Sequence, residues 1–258
     1  MPHAPALASL QQTPSRKIRL LAVGDCNTAG ALGSGDEDRV AAQLAARLEA
    51  AGWTCTEQNL GYTMSTTREG VARMRRDARP ADLLLLNFGL VDAWVTTIPQ
   101  IYVPYYPDGN FKRFSRKLLK SLKRRLRTPR LRRFIPVGEV VPIEEYQYNM
   151  RRIIDIARDN NPDVRILLWG TVPVIGDAER SRNIARYNVR LREIANSEPH
   201  TWYYETTTAL QGLSPDDAYL DHFHIAKSAA DRIAEEMMEI CLTRMQLGAT
   251  IRDLQNAA

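Results

Sequence analysis

Three observations predict an α/β fold: a single doubly wound, flavodoxin-like sheet of about five parallel strands with helices on both faces and an inserted basic, aromatic segment. First, the short and almost wholly apolar runs Ile18–Val23, Leu83–Leu86 and Val164–Trp169 have the length of strands buried on both faces. Second, between such runs stand stretches whose apolar residues recur every three or four positions, the spacing of one helix face. Third, strands that alternate with helices join through right-handed crossovers, and such sheets bind ligands at the carboxyl ends of their strands. The reading is one domain over residues 17–245, flanked by tails at 1–16 and 246–258 and interrupted by an insert at about 93–141.

Taken in order, the first strand stops at Gly24, where Asp25 and Asn27 favour a turn. Asp36 to Ala51 is a helix with Val40, Leu44, Ala45 and Leu48 inward, and Gly52 suits its C-terminal cap. Trp53 to Asn59 mixes polar and apolar residues and reads as an outer strand. Thr66 or Thr67 caps a helix to Arg76 with Val71 and Met74 inward, and Leu83–Leu86 is central. Past the insert, Pro142 and Glu144 open a helix that turns Tyr146, Met150, Ile153, Ile154 and Ala157 inward. Val164–Trp169 is the fourth strand, and Ala178 to Asn196 is a helix whose Asn183 and Asn188 face either the site or, as the favoured reading, solvent. Thr201 to Glu205 is the fifth strand, and Ile225 to Leu242 is the last helix.

The insert departs from this rhythm. It gathers aromatic residues and prolines, and Phe111, Phe114, Leu118, Leu122 and Leu126 mark one apolar stripe of a helix. Between Phe111 and Phe134 lie twelve Lys or Arg and no acid, so the net charge of +5 belongs to this segment and the rest of the chain is net −7. Lys117, Lys120, Lys123 and Arg124 form the candidate contact with an anionic membrane or a phosphorylated or lipid-linked glycan. A solvated charged face over a core-packed stripe is the alternative, and nucleic acid is disfavoured because the acidic remainder repels phosphate.

Three cysteines, Cys26, Cys55 and Cys241, are widely spaced and odd in number, which argues against a disulfide scaffold and fits a reducing cytoplasm. No His/Cys/Asp/Glu cluster has metal spacing and no phosphate-loop pattern occurs, so neither metal nor cofactor is expected. No apolar run reaches the roughly 18 residues of a membrane span, and Met1 to Arg16 does not read as a signal peptide.

Two places carry candidate chemistry. Gly24-Asp25-Cys26-Asn27-Thr28 places a nucleophile at a strand end, where a tight corner exposes it while keeping it aimed; a packed, inert cysteine is the other reading. Asp221-His222-Phe223-His224 places a carboxylate three residues before an imidazole, a spacing that on a first helical turn lets Asp221 orient His224 as a base, with His222 facing solvent or a lid.

The order of these blocks resembles the SGNH (GDSL-type) hydrolases. Gly24–Thr28 resembles the G-D-S block with cysteine for serine, Asn59–Thr67 the second block, Asn87–Asp92 the G-x-N-D block, and Asp221 with His224 the last. The resemblance implies a Cys26–His224–Asp221 triad. It also implies an oxyanion hole of the Cys26 and Met64 N–H groups, with Asn87 or Asn27 nearest to replace the amide absent at Val91. A lost donor of this kind costs about 2.7–4 kcal/mol of transition-state stabilisation. Asp25, Gly89 and Asp92 are expected beside the site, Asp92 either pinning the loop beneath the nucleophile or capping a loop. The implied activity is hydrolysis of an ester of a sugar, polysaccharide precursor or lipid, with O-acyl transfer or a catalytically impaired binding module as alternatives.

Overall fold

The computed structural model describes residues 16–30, 35–99, 121 and 136–247. Five parallel strands form the sheet, β1 (Arg16–Gly24), β2 (Trp53–Asn59), β3 (Leu83–Asn87), β6 (Arg165–Trp169) and β7 (Thr201–Tyr204), in the order β2-β1-β3-β6-β7. The chain winds outward to β2 and then returns past β1, so the strand order reverses between β1 and β3. Gly24 lies opposite Asn87 at that crevice, where open α/β sheets place their ligands.

Strict alternation along the strands sorts the core into two faces. Leu21, Val23, Leu84, Leu86, Ile166 and Leu168 pack under α3 (Thr67–Asp77), α4 (Ile143–Asn160) and α5 (Ala178–Ser197). On the other face Leu20, Ala22, Leu83, Leu85, Leu167 and Trp169 meet α2 (Val40–Ala50) and the C-terminal α8 (Lys227–Thr243). All five residues of β3 are buried, as a strand covered on both faces requires. Short helices α1 (Cys26–Ala29), α6 (Thr206–Ala209) and α7 (Pro215–Ala218) fill loops at the sheet's ends.

Several local expectations are revised. Asp36–Asp38 is a separate 3₁₀ turn, and α2 begins only at Val40. Arg16, assigned to the N-terminal tail, opens β1; Leu247, assigned to the C-terminal tail, is 7% exposed and packs in the core. Asn188 is buried, not solvated, because its amide bonds Thr171 twice: Nδ2 donates to the carbonyl at 2.9 Å and Oδ1 accepts from the N–H at 2.9 Å. The insert is framed by an antiparallel ribbon, β4 (Val95–Thr97) with β5 (Val137–Glu139), which its irregular composition did not reveal. The expected basic helix, with Lys117, Lys120, Lys123 and Arg124, lies outside the described residues.

Two buried carboxylates tie the carboxyl-end loops to this frame. Asp25 accepts from the N–H of Asn27 at 3.2 Å and of Leu90 at 3.0 Å. Asp92 accepts from the N–H and hydroxyl of Thr67 at 3.0 and 2.7 Å, which fixes the start of α3 against the loop after β3. Burial pushes Asp25 up to about 6 and Asp92 up to about 7, and the charge of Asp25 adds to the rise at Asp92.

Folded carboxyls raised in this way keep a proton that the unfolded chain has released. Their stabilisation is full below the ordinary carboxylate range and is lost as pH rises through about 6 and about 7. Asp92→Asn keeps an oxygen for Thr67 and removes the titration, so urea unfolding at pH 5 and pH 8 is expected to show a smaller loss of stability with rising pH than the parent. An equal pH dependence in parent and variant contradicts this account. At Gly24 an added Cβ would lie 2.1 Å from Thr28 Oγ1 and 2.3 Å from the Asn87 carbonyl oxygen, the latter backbone and unable to yield. Gly24→Ala is therefore expected to cost about 2–3 kcal/mol in the same assay, at the upper end of core overpacking.

Candidate active site

The sheet delivers Cys26 to the switch point. β1 ends against the end of β3, the Asp25 N–H bonds the Asn87 carbonyl at 3.2 Å, and Asp25 caps the one-turn helix α1 that Cys26 begins. Cys26 is 1% exposed, and the backbone N–H of Met64 points at its Sγ from 3.0 Å. Met64 holds φ +58°, a left-handed conformation that favours glycine and costs a longer side chain roughly 1–2 kcal/mol. That backbone turn is what aims the N–H at the sulfur. Burial pushes the Cys26 thiol up to about 12, with Asp25 contributing; the Met64 N–H and the charge of Arg180 act against the rise. At neutral pH the group is a thiol, and its use as a nucleophile requires a base.

The candidate base, His224, stands in the loop before α8. Asp221 Oδ1 accepts from the N–H groups of Phe223 and His224 at 2.9 and 2.8 Å, and Oδ2 lies 2.6 Å from His224 Nδ1. Partial burial raises the Asp221 carboxyl, but those two N–H groups and the imidazole outweigh it and hold it below the usual carboxylate range. The D-x-x-H spacing thus works through a tight turn, not the first turn of a helix: α8 starts only at Lys227, and a Tyr219–Ile225 bridge closes the loop from below. His222 is exposed, and its carbonyl accepts from the Ile175 N–H at 2.8 Å.

Asn27 connects the two halves. Its Nδ2 donates to the Phe223 carbonyl at 3.3 Å and its Oδ1 accepts from the Ile225 N–H at 3.1 Å, so one amide next to Cys26 grips the backbone on either side of His224. The amide of Asn27, one of the two candidates for the missing oxyanion donor, thus holds the histidine loop through Nδ2 and Oδ1.

Asn87 is also placed differently from expectation. It is fully buried, and its Nδ2 donates to the Trp169 carbonyl at 2.7 Å, tying β3 to the end of β6. Its Nδ2 also faces Thr171 Oγ1 at 3.5 Å, so the amide is turned toward the end of β6 and the loop after it. Gly89, at φ +140°, takes a backbone conformation disfavoured by side chains, and Val91 is 4% exposed in the cluster that contains Cys26. Asp92 bonds the N–H and hydroxyl of Thr67, tying the start of α3 to the loop after β3. Cys241 is fully buried, and Cys55 packs partly buried against the second face.

Arg180, on the first turn of α5, was not legible as a site residue because it is one of many cations on a polar helix. Its Nη2 donates to the Leu90 carbonyl at 2.7 Å, and its guanidinium lies over the rings of Trp94 at 4.4 Å and Phe223 at 5.7 Å. Among the described residues no three His, Cys, Asp or Glu are grouped to hold a metal ion, and no helix is long and apolar enough to cross a membrane.

Among solved structures, the chain is similar to an acetylxylan esterase from Geobacillus stearothermophilus at 18% identity, TM-score 0.56, over 87% of this chain and 94% of that one. It is similar to TesA at 18% identity, TM-score 0.55, over 88% and 99%. A putative lipolytic protein of the G-D-S-L family from Desulfitobacterium hafniense aligns at 15% identity, TM-score 0.54, over 86% and 99%. At these identities the likeness speaks for the fold, and no curated protein matches the chain. The profile of the GDSL-like lipase/acylhydrolase family matches residues 22–227, from within β1 to the first residue of α8, and the chain belongs to that family.

Proposed function

We propose that the protein hydrolyses a carboxylic ester through Cys26, His224 and Asp221, on an acylated sugar, polysaccharide precursor or lipid. The observation that carries this reading is the grip of the Asn27 amide on both sides of His224, which couples the histidine turn to the turn that bears Cys26. An inert, packed cysteine has no need of a carboxylate-oriented imidazole tethered to its neighbour.

In this mechanism the ester carbonyl lies against Cys26 Sγ. His224, held in one tautomer by Asp221 at Nδ1, takes the thiol proton at Nε2 as sulfur attacks the carbonyl carbon. Charge on the tetrahedral oxygen is met by the N–H groups of Cys26 and Met64. Collapse breaks the C–O bond, the alcohol leaves with the proton from His224, and the acyl group stays as a thioester. Water attacks that thioester with His224 again as base, releasing the acid and restoring the thiol. A thiol pushed up to about 12 makes proton removal the demanding part of the first step, so dependence on His224 should be strong.

Hydrolysis of p-nitrophenyl acetate is expected to fall at least about a thousandfold in His224→Ala and in Cys26→Ala, in line with the loss of triad members elsewhere. Rates indifferent to both changes would instead favour a binding module that keeps the fold. Added alcohol acceptors report on O-acyl transfer: a new ester product at the expense of free acid favours the transferase alternative. Asn27→Asp removes the donor to Phe223 and keeps an acceptor for Ile225. It is expected to lower kcat about tenfold or more while the thermal midpoint moves little, since misplacement by about 1 Å already costs on the order of a hundredfold.

A further inference from the structure

The proposed acyl chemistry leaves the position of Val91 without a donor, and the structure puts a cation next to that gap. Arg180 reaches over from α5 to bond the carbonyl of Leu90, the residue before Val91, at 2.7 Å. Trp94 and Phe223 fix the plane of its guanidinium, and Phe223 is the neighbour of His224. Its Nε is buried with no hydrogen-bond partner.

Burial disfavours the charge of Arg180, and no carboxylate pairs with it among the described residues. Asp177 and Asp25 act on it only through space, and the field it exerts in return reaches both Cys26 and Asp25. Keeping a cation in such a place is costly unless negative charge arises nearby. Acyl transfer at Cys26 creates such charge twice, on the sulfur during attack and on the carbonyl oxygen of the tetrahedral species.

We propose that Arg180 supplies, through its charge, the stabilisation of the oxyanion that the side chain at position 91 lacks. This rests on the acyl reading of the site. The competing role is a clamp, in which Arg180 only holds the Leu90 carbonyl and hence the loop after β3.

The test compares R180Q, R180K, V91N and R180Q/V91N on p-nitrophenyl acetate, with thermal midpoints measured alongside. R180Q removes the charge while keeping a polar amide on α5, and is expected to lose about 10- to 100-fold in kcat, with KM changing less than about threefold. R180K should stay within about fivefold of the parent. An amide at 91 should recover about tenfold in the R180Q background and less in the parent, because the two groups would serve the same oxygen. Loss of kcat in R180Q that V91N leaves unrelieved, or a loss in R180K as large as in R180Q, would assign Arg180 to the clamp and overturn the proposal. If R180Q does not fold, R180K decides alone: activity within about fivefold of the parent is expected, and a loss of about tenfold or more overturns the proposal.

A second measurement needs no turnover. The rate of Cys26 alkylation by iodoacetamide from pH 6 to 10, read on the Cys26 peptide by mass spectrometry, should fall at each pH in R180Q and be restored in R180K; an unchanged profile overturns the proposal. Absence of ester hydrolysis by the parent protein would remove the acyl reading and this inference together. Hydrolysis that R180Q leaves intact would remove this inference alone.

Discussion

One carboxamide joins parts of the chain that are almost two hundred residues apart. Asn27 follows the nucleophile corner, while Phe223 and Ile225 flank the imidazole at the far end of the polypeptide. Their meeting depends on the parallel sheet: β1 brings Asn27 to the crevice, and α8 returns across the same face as α2 and sets the loop that precedes it. An amide suits the task because it offers a donor and an acceptor at once, matching the carbonyl on one side of His224 and the N–H on the other. A carboxylate or aliphatic residue of similar size would leave at least one of those backbone groups without its partner.

Most of the architecture was legible in the sequence because long-range placement follows from short-range pattern. Leu83–Leu86 reads as a central strand from its composition, and the β2-β1-β3-β6-β7 order is that of the flavodoxin-like sheet the alternation of strands and helices suggested. Helix faces were equally plain: Tyr146, Met150, Ile153 and Ile154 are all buried as their spacing requires. The corrections fall where a side chain's partner is remote in sequence. Asn87 and Asn188 looked like free amides near a site, yet each satisfies buried backbone at a neighbouring strand end, Trp169 for one and Thr171 for the other. Arg180 carried no local signal, since only the folded sheet brings the first turn of α5 to the loop after β3. The β4–β5 ribbon escaped notice because three-residue strands fall below the length at which alternation can be recognised.

The site departs from the family pattern at three positions, and the structure treats them unequally. At Met64 the backbone takes a left-handed turn, so the N–H points at Cys26 Sγ and the cost is local strain. At Val91 the side chain joins the apolar cluster, and the Asn87 amide is turned to Trp169 and Thr171. At Cys26 the sulfur is buried and pushed well above neutrality, so the proton matters more than it would for an exposed thiol.

The ribbon that frames the insert has a further consequence. Ile98 and Pro136 meet through a 2.8 Å backbone hydrogen bond, and Trp94 and Asp92 bond Val140 and Val141, so the excursion leaves and re-enters the domain at one closed neck. Closure entropy grows only logarithmically with the length of chain beyond such a neck. Natural variation can therefore lengthen, shorten or replace what lies between while the strand register beneath it stays the same, making this neck a graft point where new recognition can evolve without refolding the scaffold.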